Sequence, residues 1–132
     1  VIKLISVKLA GNIILTILSL MVILHLLIIL KILPSDFIWG GQIDNTQSNL
    51  FILEILAIGV TLVFIFFTAV KTGYIKNIKL KIFINIGIWF MFIYFLLNIF
   101  GNLASTVLLE KMIFTPVTVV LALLTFRLAI EK

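Results

Sequence analysis

The sequence predicts an all-α integral membrane protein, a bundle of four transmembrane helices with both termini on the cytoplasmic side. Three observations carry that expectation. Apolar residues make up 64% of the 132 and charged residues only 11%, whereas a soluble domain carries roughly 25% charge. The apolar residues fall into four long runs, each close to the 20 or so residues needed to cross about 30 Å of hydrocarbon. The ten Lys and Arg sit at the ends of those runs, where basic residues orient segments in a bilayer. That placement also explains the net charge of +5 without a nucleic-acid partner, because no basic face interleaved with aromatics is present.

The first run spans about Leu9 to Leu33, after Lys3 and Lys8 and before Lys31, Pro34, Ser35 and Asp36. It is too long for a signal peptide and lacks an A-x-A-like cleavage site, so it reads as a span. The second covers about Leu50 to Val70 and closes on Lys71. A third, about Ile82 to Gly101, lies between the Lys76/Lys79/Lys81 cluster and Asn102. The fourth, about Thr106 to Ile130, carries Glu110 and Lys111 in its first turns and Arg127 near its end, within snorkelling distance of the two interfaces. Residues 34–49 hold both Asp residues, Gly40-Gly41 and several amides, a solvated outer loop. The shorter connections predict that helices 2 and 3, and helices 3 and 4, are antiparallel neighbours.

Lys3, Lys8, Lys71, Lys76, Lys79, Lys81, Arg127 and Lys132 fall on one side, and Lys31 and Lys111 on the other. The bias of eight against two places both termini and the middle loop in the cytoplasm. One His and no Cys leave no bis-His haem, thiolate zinc site or iron–sulfur cluster to expect, so neither metal nor cofactor is anticipated. Nucleophile-elbow, zinc-protease, P-loop and dinucleotide-binding patterns are absent as well.

Ionisable and amide groups at membrane depth are costly and are candidates for function. His25 precedes Lys31 by six residues, about 9 Å along a helix, and Glu54 enters the second span from the same side. Asn98 and Asn102 are one turn apart and share a face. Thr115 precedes Pro116, whose missing N–H frees the carbonyl of Met112. These residues all fall in the outer half of the bilayer, under a loop carrying Trp39 and Gln42. The candidate ligand-binding set is therefore His25, Trp39, Gln42, Glu54, Asn98, Asn102 and Thr115, with Glu110 and Lys111 as a candidate interfacial charge pair. The bland alternatives are a structural pairing of Glu54 with Lys111 or His25, or its simple interfacial exposure, and interhelical hydrogen bonds or a helix-end cap from the two Asn. Gly11, Gly59 and Gly87 permit close helix approach, although no G-x-x-x-G pair is present.

The segments Trp39-Gly40-Gly41-Gln42-Ile43, Leu53-Glu54, Leu97-Asn98 with Gly101-Asn102-Leu103, Glu110-Lys111, Phe114-Thr115-Pro116 and Arg127-Leu128-Ala129 together resemble a group of uncharacterised small four-span bacterial membrane proteins. The resemblance implies an architecture and no activity. With the Ile-, Lys-, Asn- and Phe-rich usage typical of AT-rich bacterial genomes, it implies a bacterial cytoplasmic membrane as the address.

Three functions compete. The first is a binding or transport-related module whose outer-leaflet pocket holds a small or lipid-like molecule, which requires a preformed cavity. The second is an accessory or scaffold subunit of a membrane complex, with a filled bundle and a lipid face that binds a membrane-protein partner or another copy. The third is an intramembrane enzyme using Glu54 and His25 as an acid–base pair, which requires the two within hydrogen-bond reach. A channel ranks last, since four helices leave no central pore in a monomer.

Overall fold

The computed structural model describes residues 4–30, 47–76, 81–104 and 108–131. Four helices account for nearly all of them: α1 (Val7–Ile29), α2 (Gln47–Thr72), α3 (Lys81–Leu103) and α4 (Leu108–Ala129). Among the described residues each contains a stretch long and apolar enough to cross a membrane. The chain is a multi-pass membrane protein, and its apolar helices are suited to lipid contact.

The helix ends follow from local chemistry. Ser6 caps α1 by accepting the Leu9 N–H on its side-chain oxygen at 3.0 Å, which satisfies one of the amide groups orphaned at a helix start. At the other end of the first hairpin, Gly73 takes φ +100 and sends its N–H, with that of Tyr74, back to the Ala69 carbonyl. That left-handed residue stops α2, and glycine adopts it without a Cβ penalty. α4 continues through Pro116 as one helix.

α1 packs mainly on α2, and α3 mainly on α4; α1 against α4 and α2 against α3 close the ring. Opposite ends meet in every pair: His25 with Glu54, Lys71 with Asn85, Asn102 with Thr118, and Arg127 with Ile5. The bundle is therefore up-down-up-down. One end, here the loop end, holds the last turns of α1 and α3 and the first turns of α2 and α4; the other, here the terminal end, holds the first turns of α1 and α3 and the last turns of α2 and α4. The first two helices pack closely although more residues separate them in the chain, while α2 and α3 touch less extensively.

Large apolar side chains such as Leu20, Leu56, Phe90, Leu97 and Phe100 point outward. The interior includes Ala10, Gly11, Gly87 and Ala122 beside Ile14, Ile88, Met91 and Leu128. His25, Glu54, Thr68, Thr118, Thr125 and Arg127 are buried as well. This inside-out distribution follows from a solvent as apolar as Leu itself: helices gain nothing by hiding Leu from lipid, and pack instead through small residues and polar contacts. A Cβ on Gly87 would lie 2.6 Å from the Phe67 ring, so glycine lets α3 approach α2 there.

Candidate functional site

Glu54 sits two turns into α2 and His25 about one turn before the end of α1. Antiparallel packing of the two helices brings them together. His25 Nδ1 lies 2.5 Å from Glu54 Oε2, with Glu54 0% and His25 5% exposed. Burying a lone carboxylate costs several kcal/mol, and a hydrogen-bonded partner offsets much of that cost. Of the two partners that the sequence offers Glu54, the structure pairs it with His25. Lys111 is exposed on α4.

The imidazole also lines a cavity of about 270 Å³ at the loop end. All four helices contribute to its wall. α1 presents Leu18, Met21 and His25; α2 presents Ala57, Val60, Thr61 and Phe64; α3 presents Tyr94, Phe95, Asn98, Gly101 and Asn102; α4 presents Phe114, Val117, Thr118 and Leu121. These sets repeat at three and four residues, so each is one stripe of its helix. With Nδ1 committed to Glu54, Nε2 is the ring nitrogen left to meet an occupant of the cavity.

Other polar groups around the cavity have part of their capacity occupied. Thr61 donates its hydroxyl to the Ala57 carbonyl at 2.7 Å, and Thr118 donates to the Phe114 carbonyl at 2.6 Å. Asn98 Nδ2 donates to the Tyr94 carbonyl at 3.1 Å. Asn102 Nδ2 crosses to α4, 2.8 Å from Thr118 Oγ1 and 3.4 Å from the Phe114 carbonyl. A carbonyl only accepts, so both amides are oriented by their partners, and Oδ1 is the acceptor each has left. Asn102 thus joins α3 to α4 and lines the cavity at once.

The structure brings His25, Asn98 and Asn102 onto one cavity, with Glu54 behind the histidine. Thr115 is not on the cavity wall; it is half-buried, its hydroxyl has no partner among the described residues, and Thr118 supplies the α4 hydroxyl instead. Trp39 and Gln42 lie outside the described residues, as does the side chain of Glu110, and with it the proposed Glu110–Lys111 pair. Thr61, Tyr94 and Thr118 went unread in the sequence. Their signal is spacing: Thr61 follows Glu54 by seven residues, Tyr94 precedes Asn98 by four, and Thr118 begins the turn after Phe114.

The terminal end holds a second polar group that sequence reading left unassembled. Lys71 Nζ donates to Asn85 Oδ1 at 2.5 Å and to the Glu131 carbonyl at 2.6 Å. Arg127 Nε donates to the Ile5 carbonyl at 2.6 Å while its Nη1 pairs with Glu131 Oε1 at 3.0 Å. The Tyr74 hydroxyl bonds Asn12, and Lys8 Nζ stands 3.8 Å from the centre of the Tyr74 ring. These contacts tie the four helices to one another at this end. No family model matches the chain, and no match is found among curated proteins or solved structures.

Proposed function

We propose that the protein is a membrane-embedded binding module, related to transport, that holds a small or lipid-like molecule between its four helices. The observation that carries this reading is the cavity at the loop end, on which a buried imidazole and two amides converge among apolar walls. Ligand sites combine an apolar lining with a few placed polar groups in this way. A filled bundle is what a purely scaffolding subunit would require, and the cavity weighs against it. The 2.5 Å contact of His25 with Glu54 also supports a second reading, acid–base chemistry on the bound molecule. In this proposal the membrane is the bacterial cytoplasmic one, and the eight-to-two charge bias puts the terminal end inside, so the cavity lies in the outer leaflet.

The test is native mass spectrometry of protein extracted from its own membrane, for the wild type and for Ala57→Phe, which places a ring in the cavity. A retained molecule present on the wild type and lost from the folded variant is the expected result. Equal occupancy, or none on either protein, overturns the reading.

A further inference from the structure

We propose that the cavity selects a single-chain amphiphile with an uncharged, hydroxyl-bearing head. The inference rests on the binding reading above and deepens it to a ligand class. Among the described residues, neither Lys, Arg, Asp nor Glu lines the cavity. Of those residues, an anionic head would meet the imidazole, which already has Glu54 on its far side, and a cationic head would face no carboxylate among them. Either ion would be stripped of water without a counter-charge, which is strongly unfavourable in an apolar setting.

A neutral hydroxyl fits what remains. With Nδ1 on Glu54, Nε2 is the ring nitrogen left for an occupant, and a hydroxyl answers it whether Nε2 donates or accepts. The Oδ1 atoms of Asn98 and Asn102 are acceptors, since their amide nitrogens are committed to carbonyls. One hydroxyl pairs with Nε2 in either role, or donates to either Oδ1.

The tail has a path as well. Val60 on α2 and Tyr94 on α3 line the cavity and are 38% and 40% exposed. The α2–α3 seam is therefore a place where the cavity wall reaches the lipid-facing surface, beside the Phe64–Tyr94 ring contact. A volume of about 270 Å³ sits just below the usual range of about 300–1,000 Å³ for ligand pockets. It suits a head and the start of one chain, the remainder leaving between α2 and α3.

The experiment uses wild-type protein in nanodiscs and three photoreactive twelve-carbon probes with a diazirine in the chain: the alcohol, its phosphate monoester and the corresponding primary amine. Cross-linked residues are located by peptide mass spectrometry. The alcohol is expected to label cavity-wall residues, Phe114, Thr118 and Leu121 on α4 or Phe95 and Asn98 on α3, at least about tenfold more than either ionic probe, as a difference of one decade in affinity gives. Equal cavity labelling by the phosphate ester or the amine overturns the uncharged-head inference and leaves the binding reading standing. Labelling confined to lipid-facing positions such as Leu97 and Phe100 for all three probes overturns both.

Discussion

His25 and Glu54 stand 29 residues apart in the chain and 2.5 Å apart in the bundle, both enclosed between α1 and α2. Removing the imidazole takes from the buried Glu54 carboxylate the partner that the structure places 2.5 Å away. His25→Leu is expected to destabilise the protein by about 3 kcal/mol or more. The double variant His25→Leu with Glu54→Leu restores apolar packing and should recover most of that loss. Unfolding in mixed micelles across the double-mutant cycle measures the coupling; additive losses would show that the contact contributes nothing to the fold.

The helix packing makes a different prediction at three glycines. A Cβ on Gly11 would lie 2.0 Å from Thr72 Oγ1 and 2.9 Å from Thr72 Cβ, and Thr72 is tied to the Thr68 carbonyl. A Cβ on Gly87 would meet the Phe67 ring, itself edge-on to Phe83. Gly59 has nothing within 4 Å. Gly11→Ala and Gly87→Ala should each lose about 1–3 kcal/mol by overpacking, while Gly59→Ala is neutral or gains up to about 1 kcal/mol from helix propensity. Thermal denaturation of the three variants in one detergent ranks them directly.

Two buried threonines on α4 should respond oppositely to the same substitution. Thr118 Oγ1 accepts from Asn102 and donates to the Phe114 carbonyl, so Thr118→Val removes an interhelical bond and costs about 0.6–1.7 kcal/mol. Thr125 Oγ1 is buried without a hydrogen-bond partner among the described residues. Thr125→Val should raise stability by about 1 kcal/mol, the desolvation of an unmade hydrogen bond being relieved. The sign of the second change is the informative readout in an unfolding titration.

Orientation is testable because the chain has no Cys. Lys111 and Lys76 are exposed near opposite ends of the bundle. With the basic end in the cytoplasm, Lys111→Cys reacts with a membrane-impermeant maleimide in intact cells, and Lys76→Cys reacts only after permeabilisation. The reverse pattern would invert the topology and move the cavity to the inner leaflet.

Much of this architecture is legible in the sequence, and the reason is thermodynamic. Spans announce themselves because hydrocarbon tolerates little else, and Glu54 and His25 stand out because ionisable groups at that depth are rare. The rotation of each helix is hidden, since Leu, Ile and Phe surround α1 and α3 almost evenly and no apolar face separates core from lipid. That is why Thr115, beside a helix-disrupting proline, drew attention that belongs to Thr118. Thr61 and Thr118 also resemble ordinary membrane threonines, whose hydroxyls bond the carbonyl four residues back; only the cavity distinguishes them.

The pairing of His25 with Glu54 on consecutive helices bears on how such a chain is made. Helices enter the bilayer in the order of synthesis, and these two leave the insertion machinery as one hairpin. The carboxylate and the imidazole can therefore meet before α3 exists. Asn102 and Thr118 repeat the arrangement within the second hairpin. Among the described residues, the polar contacts that bridge one hairpin to the other, such as Lys71 with Asn85 and Arg127 with Ile5, are at the terminal end, beside water, where waiting unpaired costs least. These polar contacts fit an order that biogenesis can follow: pairing within each hairpin first, and docking of the hairpins last.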